Sequence, residues 1–103
     1  MEKQKIRFFV AECMEFKRLG EYIEVNTMEE AFKIYNSIPP ERLNGGKGIG
    51  FILQKDGDEE DFGLFINNFL DKELVFQIFG ENPLIKKAVF DLENLLKKKN
   101  SHF

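Results

Sequence analysis

The sequence is poor in the residues from which catalytic and metal centres are usually built. Its 103 residues include one cysteine, Cys13, one histidine, His102, and no tryptophan. A single cysteine excludes an intramolecular disulfide and is typical of reducing, intracellular surroundings. One Cys and one His do not supply the four ligands of a structural zinc site. A Cys–His pair or a serine triad needs a rigidly held histidine, whereas His102 falls in a terminus that we expect to fray.

Carboxylates are the only abundant catalytic groups that remain. Four of them are expected on one hairpin, where two could form an acid/base pair: Glu12, Glu15, Glu21 and Glu24. Acidic residues on exposed strand faces are ordinary, however, and nothing in the pattern indicates a pocket around them. We therefore predict no catalytic residue, no metal and no cofactor.

Long apolar runs and a basic excess are also missing. No run approaches the ~18 residues that span a bilayer, and residues 1–5 are charged with no apolar signal segment behind them. Acidic residues number 18 against 15 basic ones, a net charge of −3. Proteins that bind phosphate backbones usually carry a basic excess. We predict a cytoplasmic protein with no membrane partner and with nucleic acid only as a secondary partner.

The apolar residues that are present suffice for one core. They make up 43% of the chain and include twelve phenylalanines. The phenylalanine side chain has no hydrogen-bonding group, so most of the twelve are expected to be buried. Residues 1–103 should form a single domain. Alternating apolar residues predict strands over 5–14, 21–25, 49–54 and 61–66, with a turn at Leu19-Gly20 after the first.

Three helices are predicted from their start signals. Thr27 followed by Glu30 forms a capping box, and Pro39 should end that helix by Ile38. Asp71 is a good N-cap for a short helix to residue 79, although the end of this segment is also β-like. Asn82 with Pro83 after it opens the last helix. The prediction is an α+β fold of order ββαββαα, an antiparallel sheet of about four strands with helices packed on one face.

The glycine-rich stretch 45–50 resembles a phosphate loop only superficially. A P-loop or a dinucleotide fingerprint needs a helix directly after the glycines, whereas here a strand follows. Residues 37–51 are instead interpreted as a sharp connection between the two halves of the fold, with residues 40–43 forming one tight helical turn. The glycines would line a turn in which backbone segments pack closely.

The acidic stretch 56–61 also lacks a metal-site pattern. An EF-hand loop needs glycine at its sixth position and glutamate at its twelfth, which here are Asp61 and Asn67. Asp56-Gly57 is instead a hairpin signal. The favoured interpretation is a solvated hairpin tip, and the alternative is an acidic contact patch for a basic partner.

Several strings together resemble the large-polyvalent-protein-associated (YodL-like) small domains of bacterial mobile genetic elements. These strings are Cys13-Met14-Glu15-Phe16, Leu19-Gly20-Glu21-Tyr22, Met28-Glu29-Glu30-Ala31, Ile34-Tyr35, Ile38-Pro39-Pro40-Glu41-Arg42-Leu43-Asn44-Gly45, Lys47-Gly48-Ile49-Gly50-Phe51 and Asn82-Pro83-Leu84-Ile85-Lys86-Lys87-Ala88. The resemblance implies a mobile-element setting, in which small acidic proteins often block host defence, as anti-CRISPR and antirestriction proteins do. It carries over no catalytic residue.

Two functions are therefore expected. The first is a non-enzymatic inhibitor that binds a basic host defence nuclease or its guide complex stoichiometrically, through Asp56, Asp58, Glu59, Glu60, Asp61, Arg42, Asn44 and Lys47. The alternative is a DNA-processing accessory module that contacts nucleic acid through Arg42, Lys47, Lys86, Lys87, Lys97, Lys98 and Lys99.

Overall fold

Five strands and three helices follow one another in the computed structural model, which describes residues 4–14, 17–39 and 46–100. The elements are β1 (Gln4–Met14), β2 (Lys17–Val25), α1 (Met28–Ser37), β3 (Gly46–Lys55), β4 (Asp58–Ile66), β5 (Phe69–Leu70), α2 (Lys72–Phe79) and α3 (Pro83–Asn100). The predicted α+β class is confirmed, and the order of its elements is as predicted except for the additional strand β5.

The strands form one antiparallel sheet in the order β2-β1-β3-β4-β5. The two longest strands, β1 and β3, lie at its centre and pair from Gln4 opposite Lys55 to Cys13 opposite Gly46. The fifth strand has two residues, which is too short for an alternation pattern to reveal. It is reached through Asn67 and Asn68, both with positive φ (52° and 67°), as in a two-residue hairpin turn.

Each helix begins at the residue that the sequence indicated. The Thr27 hydroxyl accepts a hydrogen bond from Glu30 N at 3.2 Å, and the Asp71 carboxylate accepts one from Leu74 N at 3.1 Å. Asn82 Oδ1 accepts from Leu84 N at 2.9 Å at the start of α3. These side chains satisfy backbone N–H groups that have no partner inside the helix. The segment after Asp71 is therefore a helix, despite its β-like residues.

All three helices pack against one face of the sheet, here called the helix face. The main core lies between them and contains Phe8 and Val10 of β1, Ile49 and Phe51 of β3, and apolar residues of every helix. Tyr35 of α1 is fully buried there. Its hydroxyl accepts from Asn68 N at 2.8 Å and donates to Asn68 Oδ1 at 2.9 Å. The β4–β5 turn is thereby fastened to the first helix.

The opposite face of the sheet is curled inward and is here called the concave face. Cα atoms of β2 and β4 approach within 8 Å, whereas three strand spacings in a flat sheet would separate them by about 14 Å. A second small core of Phe9, Ala11, Cys13 and Ile52 fills the curl. Phe9 is fully buried, although within the described ranges no helix residue belongs to this cluster.

Glycines and bulges account for the curl. Gly46, Gly48 and Gly50 alternate along the concave face of β3, and neighbouring side chains occupy the space that their own would need. The registers of β1–β2 and β3–β4 each shift once, at Ala11/Glu12 and at Ile49/Gly50. Bulges and strand glycines bend and coil a sheet. Gly46, Gly48 and Gly50 are thus part of a central strand, and their interpretation as a glycine-lined turn was wrong.

Two further boundaries differ from the prediction. β2 begins at Lys17, because Gly20 (φ 63°) lies in the bulge of a continuing strand and not in the turn expected at Leu19-Gly20. β4 begins at Asp58, because the turn needs only Asp56 and Gly57. The predicted helical turn over 40–43 and the histidine at 102 lie outside the described residues.

Candidate protein-interaction surface

The acidic residues predicted as a contact patch lie on the β3–β4 hairpin and are all exposed. Asp56 (φ 53°) and Gly57 (φ 87°) form the two-residue turn, with the two positive φ values of a type I′ turn. Asp58, Glu59, Glu60 and Asp61 follow as the first four residues of β4. Residues 55–61, the end of the hairpin, therefore carry five carboxylates against the single amine of Lys55.

Strand geometry divides these carboxylates between the two faces of the sheet. Side chains alternate along a strand, and Asp61 is paired with Ile52, a residue of the concave core. Glu59 and Asp61 therefore lie on the concave face, and Asp58 and Glu60 lie on the helix face. Asp56 and residues 58–61 are here called the negatively charged rim. Its carboxylates are divided between two faces and do not form one compact patch.

Arg7 connects the rim to the opposite edge of the sheet. Its Nε lies 3.2 Å from Glu24 Oε1 of β2, and its Nη2 forms a short ion pair with Glu59 Oε2 of β4. Its Nη1 also donates to Gln54 Oε1 at 3.3 Å. The hydrogen bond with Glu59, assisted by the charge of Glu24, raises the pKa of Arg7 above its ordinary value. One arginine thus bridges the strands on both sides of the curl.

A polar depression of about 220 Å³ surrounds this bridge. Arg7, Tyr22, Ile52, Glu59 and Asp61 line it. The ring of Tyr22 packs edge-on against Phe9 with centroids 5.8 Å apart. The open end of the concave face therefore has an apolar floor and a mostly acidic border, which suits contact with a basic side chain.

Lys47, another predicted contact residue, is used inside the fold. Its ammonium group donates to the carbonyl oxygens of Tyr35 at 3.2 Å and Ile38 at 3.1 Å, and it lies 4.4 Å from the centre of the Tyr35 ring. Positive charge at a helix C-terminus offsets the partial negative charge of the last carbonyls. Lys47 therefore caps α1.

Of the other predicted residues, those that the structure describes lie on α3. Arg42 and Asn44 lie outside the described residues. On α3, Lys86 lies 3.7 Å from Glu81 and Lys87 lies 3.0 Å from Asp91. Lys97, Lys98 and Lys99 are exposed at the end of the same helix, and Lys99 donates to Asn36 Oδ1 at 3.0 Å. Lys98 and Lys99 line one open depression together with Lys47, whereas Lys86 and Lys87 lie nearer the start of α3 beside their acidic partners.

Of the carboxylates considered as a catalytic pair, Glu12 and Glu21 line one open depression, and Glu24 lies apart from Glu12. Glu24 lies on the concave face beside Arg7, whereas Glu12 is opposite Lys47 and lies on the helix face. Glu15 is outside the described residues. Within 4–14, 17–39 and 46–100, no three His, Cys, Asp or Glu side chains gather where they could share a metal ion. No helix in those ranges has the length and apolar character needed to cross a membrane.

Two residues of this surface were missed in the sequence. Arg7 looked like an exposed strand residue. Its ion pairs with Glu24 of β2 and Glu59 of β4 depend on how the strands pair, which the sequence does not give. Phe69 was assigned to no element, yet it is 66% exposed beside the end of β4. An aromatic residue directly after Asn67-Asn68 was the available signal, since Asn-rich two-residue turns join strands.

Searches against protein-family models, curated proteins and solved structures found no match for this chain.

Proposed function

We propose that this protein acts by binding, without catalysis, to a basic protein partner through the negatively charged rim of the β3–β4 hairpin. The observation that carries the proposal is the exposure of five carboxylates on one short hairpin, with side chains directed to both faces of β4. Complementary charge speeds encounter and selects among partners more than it adds affinity. The rim is therefore suited to recognising a strongly basic surface.

The partner class follows from the resemblance to mobile-element domains. Nucleases and guide complexes of host defence present basic surfaces because they hold nucleic acid. An acidic protein that occupies such a surface blocks the nucleic acid from it. We propose a target of this kind, which would place the protein in the cytoplasm.

The proposal is tested by the stoichiometry of inhibition. Purified guide-loaded nuclease complexes and restriction enzymes would be titrated with the protein, and DNA cleavage would be followed at nuclease concentrations far above the dissociation constant. We expect cleavage to fall linearly and to reach its minimum at a fixed molar ratio. Asp58→Lys/Glu60→Lys should weaken the inhibition, while Glu21→Lys, an exposed charge reversal on β2, serves as the matched control.

Two results of the same titration would contradict the proposal. Complete loss of cleavage at a small fraction of one equivalent, increasing with time, would show that the protein modifies its target catalytically. Inhibition that is equally strong after both charge reversals would show that the rim is not the contact surface.

The alternative proposal, contact with DNA, is supported by the end of α3. Lys97, Lys98 and Lys99 are three consecutive exposed cations there. Phosphate contacts make affinity fall steeply with salt. A DNA mobility shift at low salt that is lost on Lys97→Gln/Lys98→Gln/Lys99→Gln would support this function. The absence of a DNA mobility shift at low salt would rule out this function.

A further inference from the structure

A mostly apolar cavity of about 370 Å³ lies where β4, β5 and α2 meet. Gly63, Leu64 and Ile66 of β4 form one wall, and Phe69 and Leu74 form the other. Phe69 is 66% exposed at this place. A phenylalanine ring left in water beside an apolar hollow is unfavourable in isolation, since removing apolar surface from water is favourable.

The cavity lies at the end of the negatively charged rim. Asp61 is two residues from Gly63 and Glu60 is four residues from Leu64, which corresponds to about 7 and 13 Å along a strand. Among the described residues, the side of β4 away from β3 is paired only at Phe65 and Ile66, by β5. The acidic residues and the cavity therefore lie along one strand.

The border of the cavity is acidic as well. Asp71 lines it, with its carboxylate held by the hydrogen bond from Leu74 N. A second copy of this chain would bring its own acidic rim against these carboxylates, and like charges placed opposite one another destabilise a contact. A basic segment meets no such repulsion.

We propose that this cavity receives one large apolar side chain of the partner, from a segment whose basic residues lie along β4. The distances require the basic residues to stand about two to five positions from the apolar anchor in an extended segment. Charge would select and orient the segment, and the buried anchor would slow its release. This inference rests on the proposed function and specifies the chemistry of the partner.

Two fluorescent peptides test the inference by anisotropy at low salt. The first carries four consecutive lysines and a phenylalanine two positions beyond the last of them, and the second has glycine in place of that phenylalanine. We expect the phenylalanine peptide to bind about tenfold more tightly. Phe69→Ser should abolish that advantage and leave the affinity of the glycine peptide unchanged.

Phe90→Ser is the matched control, because Phe90 is 61% exposed but lies on α3 away from the cavity. The Phe90→Ser variant should still bind the phenylalanine peptide about tenfold more tightly than the glycine peptide. Leu74→Phe, which narrows the cavity without removing Phe69, should reduce the advantage independently. Circular dichroism of each variant shows that it is folded.

Three outcomes would overturn the inference. Equal affinities of the two peptides for the unaltered protein would show that the cavity takes no anchor. Loss of the advantage in Phe90→Ser as well would mean that the effect is not local. Self-association in sedimentation that Phe69→Ser abolishes would show that a second copy occupies the cavity. In each case the proposed function stands if both peptides still lose affinity in Asp58→Lys/Glu60→Lys.

Discussion

The ring of Phe9 lies over the backbone of Gly50, its partner on the neighbouring strand. A Cβ atom at position 50 would collide with that ring and with the carbonyl oxygen of Phe62. Side-chain and backbone atoms of the two neighbouring strands therefore pack closely against Gly50. This contact keeps Phe9 fully buried without a covering helix residue in the described ranges.

Gly50→Ala should destabilise the protein strongly, by about 3 kcal/mol, the upper end of the usual cost of overpacking. The obstruction includes backbone, which cannot rotate away as a side chain can. Chemical denaturation measures the loss. A variant as stable as the unaltered protein would contradict the close contact.

Gly48→Ala should cost less, because its nearest obstacle is a side-chain atom. A Cβ there would lie 2.7 Å from Cys13 Sγ. Cys13→Ala removes that sulfur, so the two substitutions together should be more stable than their separate effects predict, by about 1 kcal/mol. Strict additivity in the double-mutant cycle would contradict the arrangement.

The sequence predicts the fold better than the surface because caps and periodicity are local. Thr27, Asp71 and Asn82 act within three residues of themselves, so the helix starts are correct. Gly46, Gly48 and Gly50 are different, because what fills the space above a glycine comes from other strands. A glycine string therefore resembles a turn or a phosphate loop until its neighbours are known.

The candidate surface shows the same limit. The acidic run at 56–61 and its exposure were predictable, because charged residues at a hairpin face water. The face on which each carboxylate lies could not be predicted, because it depends on the turn being only two residues long. The role of Lys47 required the approach of β3 to the last carbonyls of α1, a contact between segments that are nine or more residues apart.

Lys47→Met should destabilise the protein by about 1–2 kcal/mol, since two hydrogen bonds from a charged group and a cation–π contact are lost. Lys33→Met, a change of the same kind at an exposed site on α1, should have an effect within ~0.5 kcal/mol. Urea denaturation compares the two. Equal stabilities would show that the cap contributes nothing.

Tyr35→Phe should cost about 1–2 kcal/mol, because both hydrogen bonds to Asn68 disappear. It should also alter the pH dependence. Burial raises the pKa of Tyr35 above its ordinary value of 10.0. The protonated form is thus favoured in the folded state, and the stability this gives is present below pH 10 and lost as the pH rises through the folded pKa.

The unaltered protein should therefore lose more stability above pH 10 than Tyr35→Phe does. Thermal denaturation between pH 8 and pH 11 measures the difference between the two proteins. Parallel curves would contradict the raised pKa of the buried phenol.

Arg7→Gln should tighten the binding of a basic partner at low salt. The substitution removes the cation between Glu24 and Glu59 and leaves the rim more negative. The fold should lose little stability, because the arginine and both carboxylates are partly exposed and solvent screens the ion pairs. Weaker binding by a fully folded variant would show that Arg7 itself contacts the partner.

We propose that the negatively charged rim of the β3–β4 hairpin binds a basic partner. The most direct measurement is calorimetric titration of the partner protein captured from a bacterial lysate, identified and purified, at 50 and 300 mM salt. We expect a fixed stoichiometry, affinity that falls with salt, and a loss of tenfold or more in Asp58→Lys/Glu60→Lys but not in Glu21→Lys. Affinity that is independent of salt and equal in both variants would contradict it.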